Sequence, residues 1–284
     1  MYKLRDWISF DNIDLQALCE NPHPEAVNNV ELYLLEARWQ TFSENPFAGH
    51  ILSRPSLRQA LDLYGIAKNP CDEAVEIFKT LVAEGSPEVF WRGFSANTNP
   101  KAVEFLTRYY SNNINWDAFS ANECDQAVDY LLQNPGNIEW NYFAKNSNPR
   151  AVAYFLQNFH QSNIDYLDFL SQNTHPDAVA YLVCHPERIN WLLFSQNPTA
   201  IDYIKVHLEE VDWCGLSKNP HPEALDILEK NQDQIDWIAL STNPGIFEYD
   251  YEAMRHNCGL YEREFVDLMM NPRNYEKFEG WGFI

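Results

Sequence analysis

Ile189-Asn190-Trp191-Leu192-Leu193-Phe194-Ser195-Gln196-Asn197-Pro198 and Ile235-Asp236-Trp237-Ile238-Ala239-Leu240-Ser241-Thr242-Asn243-Pro244 are one pattern written twice. The Asn before the Pro is its fixed point, and it recurs at Asn21, Asn45, Asn69, Asn97, Asn122, Asn146, Asn173, Asn197, Asn219 and Asn243. The intervals run from 22 to 28 residues and are most often 24. A constant period of this size marks a repeat architecture, and it decides the fold before any other feature does.

With each Asn set as position zero, position −3 is large and apolar in every unit, and position −2 is always Ser, Ala or Cys. Trp fills position −6 in seven units, from Trp39 to Trp237. Positions −6 and −3 share one face of a helix. The pattern therefore predicts a short first helix, about two turns long, that buries Trp and Phe or Leu. The small residue at −2 admits a neighbouring backbone. Asp14, Asn115, Asn190, Asp212 and Asp236, all at −7, suit the cap of that helix.

Pro follows the Asn at once or three residues later and opens a second helix, where its missing N–H leaves nothing unpaired. The acids in Pro24-Glu25, Pro176-Asp177 and Pro222-Glu223 suit the positive end of that helix. One such pair cannot bury its apolar face alone, so the units must stack. With helices about 8–10 Å apart, ten units predict a curved rod on the order of 90 Å long. The expected class is all-α: an α-solenoid of about ten two-helix repeats of ~24 residues. The array spans 12–244, between an N-terminal cap at 1–11 and C-terminal capping helices at 245–284.

The units at 189–198 and 235–244 resemble short tandem repeats abundant in proteins of giant DNA viruses. Arrays of that kind also tend to end in a Phe-Glu-Tyr-Asp-Tyr-like stretch followed by a Pro-Arg segment, here 247–251 and 272–273. The resemblance covers nearly the whole chain and departs most in the second and third units. It implies a viral or virus-like cytosolic setting, and no catalytic residues come with it.

The recurrent Asn reads as structural, capping the second helix or bonding turn carbonyls of an adjoining unit. His23, His175 and His221 share the offset two after the Asn and read as turn and cap residues, not metal ligands. Six scattered Cys, without a Cys-x-x-Cys pair, read as reduced thiols. No Gly-rich phosphate loop, metalloprotease motif or nucleophile elbow occurs, so neither catalysis nor a cofactor is expected. A cavity around Tyr249, Asp250 and His256 would reopen the enzyme reading. No segment approaches a membrane span, and the N-terminus has no signal-peptide pattern.

Lys and Arg number 20 against 41 Asp and Glu, a net charge of −21. Such a chain does not bind nucleic acid by neutralising phosphates, and it attracts basic partners. Offsets −5 and −1 lie one helical turn apart, away from the core pair, and they vary where the framework does not. Along the array they give Tyr64 and Lys68, Arg92, Asp117, Asn141 and Lys145, Asp168 and Gln172, and Leu192. This stripe is the candidate surface for a protein partner. The function expected is a non-catalytic interaction scaffold or adaptor in the cytoplasm. The alternative is an acidic inhibitor that mimics nucleic acid and occupies the basic site of a nucleic-acid-binding protein.

Overall fold

The computed structural model describes residues 2–31, 39–49, 62–84, 90–159 and 165–258. Over these residues the chain is mostly helical, with one two-stranded sheet. Each unit starts with a helix of four to six residues, such as Trp116–Ser120, Trp140–Ala144 and Trp213–Lys218. In most units a longer helix follows, such as Asp72–Ala83, Pro100–Tyr109 and Pro149–Asn158.

The caps sit where the offsets place them. The Asp14, Asp62, Asp212 and Asp236 carboxylates and the Asn115 and Asn190 amide oxygens each accept the backbone N–H three residues on. Pro176 and Pro222 begin second helices, and the Nδ1 of His175 and His221 accepts the N–H of Asp177 and Glu223. His23 makes the same bond to Glu25.

Position −3 supplies the deepest core: Phe42, Phe94, Phe119, Phe143 and Phe194 are fully buried. The Trp at −6 is only half-buried. It meets the position −3 Phe edge-on at 5.7–6.5 Å between centroids in five units. Tyr130, Tyr154 and Tyr203 from second helices cover Trp116, Trp140 and Trp191, at 6.1–6.4 Å. An indole is too large to be enclosed by a two-turn helix and one neighbour, so its rim reaches the surface.

The recurrent Asn holds unit to unit. The side-chain Nδ2 of Asn146 donates to the backbone carbonyls of Ser120 (3.0 Å) and Asn122 (2.9 Å) in the preceding unit. Its Oδ1 accepts the N–H of Asn148 at 3.1 Å. Every other Asn of the series repeats this arrangement, bonding the Asn carbonyl and the −2 carbonyl of the unit before it. A second series runs through position −2. The hydroxyls of Ser43, Ser95, Ser120, Ser171, Ser195 and Ser217 accept the N–H of residue −7 in the following unit. Small residues at −2 therefore serve two ends, close approach and an acceptor for a helix-start N–H.

Both series return to their beginning. Asn21 Nδ2 donates to the carbonyls of Ser241 (3.0 Å) and Asn243 (2.8 Å), and the Asp14 N–H donates to Ser241 Oγ at 2.9 Å. The first unit thus stacks on the tenth as each unit stacks on its predecessor. Strand β1 (Tyr2–Leu4) clasps the seam by pairing antiparallel with β2 (Phe247–Tyr249). Arg5 adds its N–H to the Ile246 carbonyl and its Nε to that of Gly245.

Where a rod with separate ends was expected, the first unit bonds to the tenth, and residues 2–4, read as part of an N-terminal cap, pair with 247–249 across that contact. At the other end, 247–249 is strand where capping helices were expected, 251–258 is helical, and 259–284 lies outside the described residues. The cause is the wedge shape of the unit. First helices touch backbone to backbone: a Cβ on Gly93 would stand 2.8 Å from the Tyr64 carbonyl oxygen, and one on Gly215 would overlap that of Leu192. A turn of about 36° per unit closes ten units, because the small rotation accumulates.

Gly215→Ala is accordingly expected to destabilise by about 1–3 kcal/mol through overpacking, although Ala is the better helix former. Urea denaturation checks this. Gly136→Ala, where an added Cβ meets nothing within 4 Å, is the neutral comparison.

Candidate functional site

The stripe at −5 and −1 lies on the side of the first helices away from the −6/−3 core pair, and much of it is half-buried. The residues at −1 in four successive units, Glu20, Glu44, Lys68 and Ala96, line one cavity of about 490 Å³. Thr41, Asn45, Pro46, Pro70 and Thr98 complete its lining, so the cavity runs along the ends of these four first helices. Among the described residues, ten helices at 8–10 Å spacing surround a space of roughly 15–20 Å between helix surfaces. Long side chains narrow it further.

The stripe balances its charge. Offsets −5 and −1 hold Glu20, Glu44, Asp117 and Asp168 against Lys68, Arg92, Lys145 and Lys218, a sum of zero in a chain of −21. The excess acidity is therefore carried elsewhere. Lys68 pairs with Glu44 at 2.6 Å. Arg92 and Lys145 have no carboxylate within ion-pair distance among the described residues. Lys145 is half-buried, with its Nζ over the aromatic rings of Tyr142 (5.2 Å) and Phe169 (5.9 Å). Burial lowers its pKa, and the positive charges of Lys68 and Arg92 lower it further. Lys68 belongs to the third unit and Lys145 to the sixth.

The other stripe residues share this face without forming one cluster. Tyr64 is half-buried, and its carbonyl lies against Gly93. Asn141, one turn before Lys145, has its Oδ1 buried with no hydrogen-bond partner. Asp117 and Gln172 are half-buried and Asp168 is exposed. Leu192 at 51% and Ile238 at 64% exposure are the apolar members of the stripe in the eighth and tenth units, with Lys218 of the ninth between them. The offsets place the stripe away from the core pair, and the sense of curvature sets which way it faces.

A second hollow of about 530 Å³ lies beside the clasp and includes Lys3, Arg5, Tyr249 and Asp250. His256 is exposed and does not line it, so the three residues named from the sequence do not converge. Tyr2 stacks on Tyr249, and His23 lies between Tyr2 and Phe247, at 4.6–4.8 Å between centroids. This cluster had no signal in the repeat pattern. Among the described residues no group of three or more His, Cys, Asp or Glu could hold a metal ion, and no helix is long and apolar enough to cross a membrane.

Comparison with models of known families, with curated proteins and with solved structures returns no match.

Proposed function

We propose that this chain is an α-solenoid closed end to end, working in the cytoplasm as a non-catalytic scaffold that presents its acidic outer surface to protein partners. The observation that supports this most is the division of labour among side chains. The recurrent Asn, Ser, Trp and Phe are consumed by hydrogen bonds and packing, and what varies is surface. The excess negative charge lies away from the stripe. Residues 201–250 alone hold eleven acids and three bases, a sum of −8. Asp202, Glu209, Glu210, Asp226 and Glu229 there are all exposed. Such a surface draws basic partners and orients them by long-range attraction. The kinship with giant-virus arrays is proposed on the repeat pattern alone, and it would make the compartment the host cytosol.

The charge also favours a second reading, an acidic inhibitor that occupies the basic site of a nucleic-acid-binding protein. Affinity capture from cell lysate with elution by a salt gradient separates the two. A scaffold with an apolar anchor holds its partner through high salt. An inhibitor releases a basic nucleic-acid-binding protein at moderate salt. Neutralising Glu209, Glu210, Asp226 and Glu229 to Gln or Asn is expected to abolish capture while leaving the melting temperature within about 2 °C. Undiminished capture by that variant would refute the outer acidic surface as the binding face.

A further inference from the structure

We propose that the hollow beside the clasp binds a lysine or arginine side chain of a basic partner protein, with its charge over Tyr249 and Tyr251 and against Glu252. This rests on the reading of the chain as a scaffold for basic partners, and it names an anchor for one.

The two rings come first. Tyr249 is 50% exposed and Tyr251 69%, and they stand side by side, with centroids 6.0 Å apart and planes inclined at 47°. Elsewhere the same chain shows what such a pair holds. Tyr142 and Phe169 lie 5.9 Å apart at 28°, and the Lys145 ammonium sits over both. Lys79 and Arg108 likewise sit over Phe105 and Tyr109. A cation is attracted to the negative face of an aromatic ring. Among the described residues no cation lies over Tyr249 or Tyr251.

The surrounding charge sets the sign of the occupant. The two tyrosines line the hollow of about 530 Å³ together with Glu248, Asp250, Glu252, Lys3 and Arg5. Both cations are already engaged: Lys3 by Asp6 at 2.6 Å and Glu248 at 3.5 Å, and Arg5 through its Nε by the Gly245 carbonyl. With Asp6 included, two cations stand against four acids, a sum of −2. Asp250 uses one oxygen to accept the Ala253 N–H. Glu252 is exposed and has no cation within ion-pair distance among the described residues. An anion would be repelled here, and a neutral apolar side chain would leave Glu252 unanswered. A side chain with an apolar stem and a cationic tip matches both features, its stem along the rings and its tip at the carboxylate.

The test is calorimetric titration of the full chain with the blocked peptide acetyl-Gly-Lys-Ser-Lys-Gly-amide. About 0.15 M salt is used, so that attraction to acids beyond about 8 Å is screened. The same peptide with norleucine in place of each lysine is the control. Saturable binding near one per chain is expected, at least tenfold tighter than the control. Tyr251→Leu keeps an apolar surface but removes the ring, and should weaken binding about fivefold, whereas Tyr251→Phe should stay within about twofold of the parent. Glu252→Gln should weaken it about threefold. Both positions are exposed, so the melting temperatures should stay within about 2 °C of the parent, which separates lost binding from lost folding. No saturable binding, equal binding of the norleucine peptide, or parental affinity in Tyr251→Leu overturns the site. Loss of the peptide instead on neutralising Glu209, Glu210, Asp226 and Glu229 overturns the hollow and leaves the outer acidic surface standing. Ring-dependent peptide binding together with undiminished lysate capture by that neutralised variant refutes the outer surface and keeps the hollow.

Discussion

Asn146→Ala is expected to destabilise the protein by about 3–6 kcal/mol in urea denaturation, far more than a surface Asn change. The substitution deletes two donations to buried carbonyls and one acceptance from a buried N–H. Each group left without a partner costs about 1–3 kcal/mol, and Asn146 is fully buried, so water cannot replace the amide. Asn158→Ala is the control. Its side chain makes one bond, to the Tyr154 carbonyl at an exposed site, and should cost under about 1 kcal/mol. A loss of less than 1 kcal/mol at Asn146 would mean that the amide series follows the stacking of units and does not hold it.

Asn146→Asp sharpens the point. It keeps the oxygen that accepts the Asn148 N–H but turns a carboxylate toward two carbonyls. At neutral pH it should be worse than Ala, because an unpaired buried charge is added to the lost bonds. Such a carboxyl has its pKa raised in the folded state. Its penalty is full above that raised value and is relieved as pH falls toward the unfolded value, where the protonated acid can donate again. The gap between variant and parent, measured at matched pH, should therefore narrow on acidification. A gap that widens would refute the assignment of Nδ2 to the carbonyls.

What the sequence shows of this fold is what repeats. Position −3 is core because its side chain is large and apolar in every unit, and Pro marks second helices because only a helix start tolerates it. Curvature is another matter. It comes from a difference of a few ångströms between two layers of helices, spread over residues such as Gly93 and Gly215 that look like ordinary variation. One trace of closure is nevertheless present. Each Ser at −2 is followed, in the next unit, by Asp, Asn or Glu at −7, whereas Cys19, Ala67 and Ala144 are followed by Arg38, Phe90 and Tyr166. Ser241 has no later unit to follow it, yet Asp14 obeys the rule across the seam. The stripe was legible as variable. Its direction was not, since the sense of curvature decides which face becomes concave.

Removing the clasp is expected to change shape, not only stability. Deleting residues 1–5 takes away β1 and the bonds from Arg5, and combining it with Asn21→Leu leaves, among the described residues, the Asp14 N–H bond to Ser241 Oγ as the polar link between the first and tenth units. Those units then present complementary faces with that bond between them. In the parent, hydrogen exchange should protect the first and tenth units as well as the middle ones, because a closed array has no frayed end. In the variant, protection should fall toward both ends, the radius from small-angle scattering should rise, and dimers should form as concentration increases. Head-to-tail exchange is the low-cost outcome for faces that were already complementary. Acid should act in the same direction. Burial lowers the pKa of His23, which Glu25 partly offsets, so the stability it lends is present above its unfolded value near 6.5 and is lost as pH falls toward the lower folded value. Protonation there places a charge between Tyr2 and Phe247 and removes the acceptor for the Glu25 N–H. The seam should therefore loosen as pH falls below the ordinary histidine value, before the interior units do. His23→Gln should remove that acid step from the exchange profile of the first unit. Uniform protection at every pH in the truncated variant would show that stacking of the first unit on the tenth holds the ring without its clasp.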